Sequence, residues 1–423
     1  MQYIYVLLLA FVIVIILWKK QNISFVVIYF LSSVVYYLNA FSGQIYEGKL
    51  NKLVFTSYPV EKGYYIVLII NLFLILFMVL SEKETKVYCE KKKHAAEESV
   101  MRVFMLCVFV LAGYMCFTHD IFARTSYNKG ELAQETGALG TYYKYLSSFV
   151  FVYMFSLENV KYSLVWKVIA TVPIFTTFFF GNRSFLVISL VAVIFNYIYV
   201  HCMKEKRKLV DYLLRHKKIV ISAGVFFFVV LAVKGVTSAL FNGNYDLVYE
   251  RLSNIEYYKQ VFRVSEPNTI SKNLNTIIAY KYQVPTSSYK ALWAYCLPFV
   301  TEFIESEMGV TNFTKAYQKT LYIDDLNNAS THLGEAYANG GYVVVAIVVI
   351  SYLLLLSLVF SGYKKCSTNI SKAACLLIGI DCAFFVQRNS MAFQFSRIRA
   401  YIYISIAIYL LIFIVNRKHK IRL

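Results

Sequence analysis

The chain has little charge, proline and glycine for its length. Only 16% of its 423 residues are charged, and it holds 5 Pro and 17 Gly. Soluble domains carry roughly 25% charged residues, and a soluble α/β enzyme needs Gly and Pro between its short apolar strands. The composition therefore disfavours a soluble α/β enzyme.

The chain also lacks the usual signatures of nucleotide and metal sites. Neither a P-loop nor a dinucleotide-binding fingerprint occurs. None of the eight cysteines forms a CxxC pair or stands at metal-ligand spacing with a histidine. The sequence predicts neither a cofactor nor a metal site.

Apolar residues, by contrast, make up 59% of the chain and fall in blocks near 20 residues long. Such blocks cross a bilayer as helices, which satisfy their own backbone hydrogen bonds. The first block has no positive segment before it and no cleavage site after it, so we expect a retained helix rather than a signal peptide. The sequence predicts an all-α, polytopic transmembrane helix bundle of about eleven helices, spanning 3–18, 21–41, 63–81, 100–118, 141–157, 164–180, 184–202, 219–236, 341–361, 373–390 and 399–415.

Basic residues concentrate in alternate connections between these blocks. The basic stretches are Lys19–Lys20, 82–99, 203–218, Lys364–Lys365 and the tail from Arg417. Because Lys and Arg mark the cytoplasmic side, we expect the N-terminus outside and the C-terminus in the cytoplasm of a bacterial inner membrane. The net charge of +19 then needs no nucleic-acid partner.

The block order divides the chain into three parts. Residues 1–236 hold helices one to eight, 237–340 form a large outer loop, and 341–423 hold the last three helices and a basic tail. The loop is too long for a simple connector and is rich in Tyr, Phe, Leu and Ile. We expect it to be partly helical and to fold over the outer mouth of the bundle. Its tyrosine rings suit sugar stacking or, alternatively, interfacial anchoring.

Four arginines break the charge bias at the outer surface. Arg183 follows Asn182 in a turn between two apolar helices, Arg388 ends the tenth helix, and Arg397 and Arg399 precede the eleventh. Ionisable groups at membrane depth indicate function, and a guanidinium matches phosphate oxygens with its forked donors. These arginines are candidates for binding a phosphate or pyrophosphate. The alternative is snorkelling to headgroups or pairing with a carboxylate such as Glu335.

His332 and Glu335 stand directly before the ninth helix. Residues three apart share a helix face, and at the outer edge either could act as a general base toward a sugar hydroxyl. The alternative is a capped helix start whose glutamate is satisfied by an arginine.

Three segments together resemble the Wzy family of O-antigen and capsule repeat-unit polymerases. FFFGNRSFLVISLVAVIF (178–195) looks like the family's helix–Gly–x–Arg–helix hairpin, and the large outer loop lies where the family has one. GEAYANGGYVVVAIVVISYLLL (334–355) is similar to the family's Gly–Glu–x–Tyr–x–Asn–x–Gly segment, except that Gly340 stands where the family usually has Phe. These motifs cover about a tenth of the chain.

The resemblance implies a GT-C-like fold and a metal-independent, inverting glycosyltransferase. The donor would be a glycan on undecaprenyl pyrophosphate, the acceptor a single repeat unit on the same lipid, and a chain-length regulator would be a partner. Asp324–Asp325 lacks the spacing of a DxD metal motif. His332 and Glu335 are the candidate catalytic residues. The candidate substrate- and pyrophosphate-binding residues are Arg183, Arg388, Asn182, Tyr337, Arg397 and Arg399.

Two other functions stay open. The O-antigen ligases share this general plan but use a lipid-A-core acceptor. A lipid-linked-oligosaccharide flippase would favour charges near the midplane, and Asp381 inside the tenth helix is such a charge.

Overall fold

The computed structural model of the protein describes residues 1–18, 23–49, 54–81, 95–119, 129–156, 162–180, 183–204, 215, 217, 221, 225, 236, 239–240, 243–258, 266–284, 313–320 and 331–421. Most of the eighth predicted helix (219–236) and of the loop segment 285–330 lies outside these residues, as do Asn182 and Asp324–Asp325.

Helices dominate the described residues. They are α1 Gln2–Trp18, α2 Phe25–Tyr36, α3 Asn39–Ser42, α4 Lys62–Ser81, α5 Ala95–Thr118, α6 Lys129–Phe155, α7 Leu164–Phe179, α8 Arg183–Lys204, α9 Tyr245–Ser253, α10 Glu266–Ala279, α11 Phe313–Thr320, α12 His332–Lys365, α13 Asn369–Phe384 and α14 Met391–Ile421. A 3-10 turn, Phe385–Arg388, follows α13.

Six of the described helical stretches are long and apolar enough to cross a membrane: Lys62–Ser81, Glu97–Thr118, Ser184–Met203, His332–Lys365, Asn369–Arg388 and Phe393–Arg417. Three shorter apolar helices are Gln2–Trp18, Phe25–Tyr36 and Leu164–Thr177. Large apolar side chains remain exposed along these helices, with Phe77 at 63% and Leu358 at 70%, as lipid contact requires. The prediction of an all-α membrane protein is confirmed at this level.

A two-stranded hairpin, which we did not predict, interrupts the helices. Strand β1 (Gln44–Lys49) pairs antiparallel with β2 (Val54–Pro59), with Gln44 opposite Pro59. Gly43 ends α3 with φ +67°, a conformation that glycine adopts without strain. Only 12 residues are involved, and their weak alternation of apolar and polar side chains gives little strand signal.

The first of two compact units comprises Met1–Thr85, Lys204–Ser357 and Cys382–Ser396. Within it, α1 packs on α4, and α10 packs on α2, α4 and β1. Helix α10 belongs to the predicted outer loop, and polar contacts fix it to the N-terminal helices. Asn268 accepts from Asn39 Nδ2 at 2.9 Å and from the Tyr46 backbone at 3.0 Å, and Asn275 Oδ1 accepts from the Glu61 backbone at 2.9 Å.

The second unit comprises Lys86–Met203, Leu358–Asp381 and Arg397–Leu423. Within it, α5, α6 and α7 pack on one another. The buried Glu97 carboxylate accepts the backbone N–H groups of Asn369 and Ile370 at 3.1 and 3.2 Å. A carboxylate at a helix N-terminus satisfies orphan donors and complements the helix dipole.

Helix α12 is broken at Gly340 and Gly341. Gly341 has φ +67° and ψ −150°, which only glycine adopts readily. The break frees carbonyls of the preceding turn, and the Ala338 carbonyl accepts the backbone N–H of Val284 at 3.0 Å. The apolar part of α12 therefore begins where the sequence predicted the ninth helix, while a separate helical stretch, His332–Asn339, precedes it.

Candidate functional site

The predicted site residues fall in both compact units. His332, Glu335, Tyr337 and Arg388 lie in the first unit, whereas Arg183, Arg397 and Arg399 lie in the second. Within the first unit, one short segment, residues 385–391, joins α13 to α14. Arg388 belongs to this segment, and His332 and Glu335 contact its backbone.

The joining segment is held at several points. Asn389 Nδ2 donates to the Phe385 carbonyl at 2.9 Å, and its backbone N–H donates to the Val386 carbonyl at 3.2 Å. Gln387 Nε2 donates to Ser33 Oγ at 2.8 Å. These bonds tie the segment to α2 and thereby help to position the side chain of Arg388.

Arg388 is the one predicted arginine of the first unit, and it is partly open to solvent. Its guanidinium pairs with the Glu266 carboxylate, at 30% and 25% side-chain exposure. It also hydrogen-bonds the Tyr36 hydroxyl and lies 4.6 Å from the centre of the Phe385 ring. Among the described residues no acceptor hydrogen-bonds its Nε. Arg388 is thus a positioned cation that pairs with Glu266 and has one buried donor, Nε, without an acceptor among these residues.

Glu335 faces the N-terminus of α14. Its Oε2 accepts the Met391 backbone N–H at 2.6 Å, and its residue is 5% exposed. This repeats what Glu97 does for α13, so a buried glutamate satisfies a helix start in each unit. The partner of Glu335 is therefore a backbone N–H rather than the arginine considered from the sequence.

His332 is fully buried between α2 and α12. Its Nε2 lies 2.9 Å from the Tyr29 hydroxyl, which donates to Asn71 Oδ1 at 3.0 Å. Since a phenol has one proton, this arrangement makes His332 Nε2 the donor and Tyr29 the acceptor. His332 also interacts with the backbone of Val386 in the joining segment. It is placed to hold that segment, and its burial separates it from solvent.

The motif 334–341 has a structural role at nearly every position. A Cβ on Gly334 would come within 2.8 Å of the Ile277 side chain, so glycine permits the close approach of α10. Asn339 Nδ2 donates to the Glu335 carbonyl at 2.6 Å. Tyr337 is half-buried, and its ring centre lies 5.3 Å from that of Tyr342.

An aromatic cluster lies beside this motif. Ile277, Tyr282, Phe313, Tyr317 and Ala338 form it, and Tyr337 and Val284 pack against it. Burial raises the pKa of the Tyr282 phenol above its ordinary value, so this ring stays neutral. The described tyrosines of the loop therefore divide between core members and exposed ones such as Tyr245, Tyr249 and Tyr280.

The predicted arginines of the second unit differ from Arg388. Arg397 is 1% exposed, and its Nε donates to Asp381 Oδ2 at 2.6 Å. Its guanidinium lies 4.5 Å from the centre of the Phe185 ring. Arg399 is half-buried, Arg183 is the first residue of α8, and Asn182 lies outside the described residues. The structure thus pairs Arg397 with the midhelix carboxylate Asp381.

Sequence reasoning missed Glu266, Tyr36 and Tyr29. Glu266 is a lone acid at the start of an amphipathic helix, and the signal that could have shown this helix is the helical spacing of Ile270, Leu274, Ile277 and Ile278. Tyr29 and Tyr36 stand inside an apolar block, where a tyrosine reads as part of the hydrophobic pattern. In the part of the chain that the structure describes, no group of three or more His, Cys, Asp or Glu side chains could hold a metal ion.

Comparison with known proteins adds no relative to this description. No protein-family model matches the chain, and no curated protein or solved structure matches it.

Proposed function

We propose that the protein is a polysaccharide polymerase of bacterial membranes. It would join undecaprenyl-pyrophosphate-linked repeat units, of O-antigen or capsule, on the outer face of the inner membrane. The proposal takes the bundle to have about eleven transmembrane helices in a GT-C-like arrangement, with the N-terminus outside, the C-terminus cytoplasmic and a chain-length regulator as partner.

One observation carries the proposal: Arg388 is a partly exposed guanidinium held on a braced turn at the end of a membrane-length helix. A donor fixed in advance costs no reorganisation when charge develops on a leaving group. Undecaprenyl pyrophosphate is such a leaving group when it departs from the donor sugar. Its lipid tail needs an apolar surface beside the cation. The apolar helices of the described chain supply that surface.

The reaction follows from these parts. The terminal hydroxyl of the acceptor attacks the anomeric carbon of the donor glycan with inversion and gives its proton to a general base, for which His332 and Glu335 are the candidates. The bond from that carbon to the pyrophosphate oxygen breaks, and undecaprenyl pyrophosphate leaves with the bonding electrons. Arg388 stabilises that negative charge, and Arg183, Arg397 and Arg399 remain candidates for the same anion.

His332 and Glu335 are proposed chiefly as orienting residues. His332 contacts Tyr29 and the Val386 backbone, and Glu335 contacts the Met391 backbone, so both hold the segment that carries Arg388. His332 is fully buried and Glu335 is 5% exposed, so either residue could serve as the base for the acceptor hydroxyl only after becoming accessible to it.

The test is chain extension in reconstituted membranes supplied with undecaprenyl-pyrophosphate repeat units from the same locus and the chain-length regulator. Arg388→Ala should slow extension by about 10²–10³-fold, the usual effect of losing one preorganised donor. Arg388→Lys should recover only part, because Lys keeps the charge but not the fork.

Arg102→Ala is the matched control, since Arg102 is 48% exposed and pairs with Glu98. It should extend chains at the normal rate. Extension by Arg388→Ala at the normal rate, with the protein inserted normally, would contradict the assigned role. Unextended single repeats with the intact protein would contradict the polymerase.

The flippase alternative is favoured by one observation, the buried Asp381–Arg397 pair inside two membrane-length helices. The ligase alternative shares the polymerase's chemistry with a different acceptor. A flippase moves lipid-linked repeats across the membrane without extending them, and a ligase gives product only when lipid-A core is added. The extension assay therefore separates the three functions.

A further inference from the structure

Two cysteines meet where α12 ends and α13 begins. Cys366 is the first residue after α12, and Cys375 lies in the second turn of α13. Their sulfur atoms are 3.8 Å apart, which is a contact between two thiols, since a disulfide bond is about 2.05 Å long. Both residues belong to the second unit, and both are partly exposed free cysteines. The junction of the two helices therefore carries an accessible pair of neighbouring thiols.

The last turn of α12 packs against Cys375. Gly362 stands four residues before Cys366, one helix turn away along the same side of α12. A Cβ added at Gly362 would lie 3.7 Å from Cys375 Sγ, an ordinary contact distance. Two positions one turn apart thus lie against the same cysteine side chain, so the contact between the sulfurs belongs to a packed junction of two helices.

The beginning of α13 is held by contacts of its own. The Glu97 carboxylate accepts the Asn369 backbone N–H at 3.1 Å, and Thr368 Oγ1 accepts the Ser371 backbone N–H at 3.2 Å. The Tyr409 hydroxyl hydrogen-bonds the Ser371 hydroxyl. Because these contacts fix the first turn of α13, the two thiols are kept side by side. A reaction between them needs no further loop closure and has a high effective concentration.

The two cysteines differ in their neighbours along the chain. Cys366 stands between the exposed residues Lys365 and Ser367. Cys375 stands between Ala374 and Leu376, which are both buried. A small reagent can therefore approach Cys366 first, while Cys375 is placed to react with the product formed there.

We propose that Cys366 and Cys375 form a redox-active dithiol, which a small disulfide such as oxidised glutathione converts into a disulfide bond between α12 and α13. The Cys366 thiolate attacks one sulfur of the small disulfide, forms a mixed disulfide and releases one small thiol. The Cys375 thiolate then attacks Cys366 Sγ, closes the protein disulfide and releases the second small thiol. The protein thiols lose two hydrogen atoms in total, and the small disulfide is reduced to two thiols.

The reduced pair is the expected resting state. Lys364–Lys365, which directly precede Cys366, belong to a connection that the sequence predicts to be cytoplasmic. Cytoplasmic thiols are kept reduced, and the disulfides that form there are transient. The bond should therefore form when the pool of small disulfides rises and be lost when that pool falls. This inference does not depend on the proposed function.

The test is peptide mapping of the purified full-length protein in detergent, after incubation with oxidised glutathione and blocking of the remaining thiols. Trypsin cleaves after Lys365, Lys372 and Arg388, which places the two cysteines in the separate peptides 366–372 and 373–388. We expect mass spectrometry to find these peptides joined under non-reducing conditions and separate after reduction.

Peptide 373–388 also contains Cys382, so two variants assign the bond. Cys375→Ser should abolish the joined peptides and leave a glutathione adduct on Cys366, because no second thiol removes it. Cys382→Ser is the matched control, since Cys382 is a buried free cysteine of the same peptide. It should give the joined peptides in the same amount as the unaltered protein.

Three results would overturn the proposal. The first is that the peptides stay separate after prolonged incubation with excess oxidised glutathione. The second is that they are still joined in Cys375→Ser. The third is that they join only after the protein has been denatured in urea, which would mean that the folded protein does not hold the two thiols together.

Discussion

The arginines singled out from the sequence differ most in their partners. Arg397 is buried against Asp381, while Arg388 is partly open beside Glu266. A buried pair repays its desolvation only when its geometry is good, and it is lost at high cost when one partner is removed. A partly exposed pair exchanges partners at little cost. Exposure therefore favours Arg388 over Arg397 as the residue that binds a ligand.

Glu335 provides a prediction at the same scale. Its carboxylate accepts the Met391 N–H, so Glu335→Ala removes the acceptor and should destabilise the protein by about 1–2 kcal/mol. Glu335→Gln keeps an acceptor oxygen and should unfold close to the normal temperature. Thermal unfolding in detergent measures both.

The glutamine variant also separates the two roles of Glu335. An orienting residue needs only the acceptor, so we expect Glu335→Gln to extend chains and Glu335→Ala to extend them poorly. A Glu335→Gln protein that is stable and inactive would identify Glu335 as the base instead.

At the scale of helices, the break in α12 is the feature most sensitive to one residue. Gly341→Ala places a Cβ in a backbone conformation that costs about 1–3 kcal/mol for other residues, although no atom within 4 Å would clash with it. We expect a lower unfolding temperature and slower extension, since the break separates the site-bearing stretch His332–Asn339 from the apolar part of α12.

Gly113→Ala is the matched substitution. Gly113 lies inside α5, and nothing stands within 4 Å of an added Cβ. Alanine is favoured over glycine in a helix interior by roughly 1 kcal/mol, so this variant should be as stable as the unaltered protein or more so. If Gly341→Ala and Gly113→Ala had the same unfolding temperature and the same extension rate, the Gly341 conformation would contribute to neither property.

Hydropathy predicted the apolar helices well and their polar extensions poorly. The predicted spans 63–81 and 184–202 correspond to Lys62–Ser81 and Arg183–Lys204. The predicted ninth helix, 341–361, matches the apolar part of α12 but misses the helical stretch His332–Asn339 before it, and the predicted eleventh, 399–415, misses the helical residues 391–398; both missed stretches carry buried polar groups. The partners of these groups lie elsewhere in the sequence, as Tyr29 does for His332, and no local pattern reveals them.

The candidate site was predictable only in part, because its contacts also join residues that are distant in sequence. His332, Glu335 and Arg388 stood out because charge and histidine are rare beside apolar blocks, and the structure brings all three to residues 385–391. Their partners did not stand out. Tyr36 and Glu266 are 230 residues apart in numbering and become neighbours of Arg388 only through the packing of α10 on α2.

For the whole molecule, the central claim is that membrane helices present a fixed cation to a lipid-linked pyrophosphate. The apolar helices explain where the protein resides, and the basic stretches of the sequence explain its net charge of +19. The proposed polymerase reaction fixes a stoichiometry, because every new glycosidic bond would release one undecaprenyl pyrophosphate.

The most direct measurement is therefore the release of undecaprenyl pyrophosphate during chain growth in reconstituted membranes, counted against the repeats added. The account predicts one lipid pyrophosphate released for each repeat joined, and loss of both in Arg388→Ala. Transfer of lipid-linked repeats across the membrane with no release, or release only when lipid-A core is present, would contradict it.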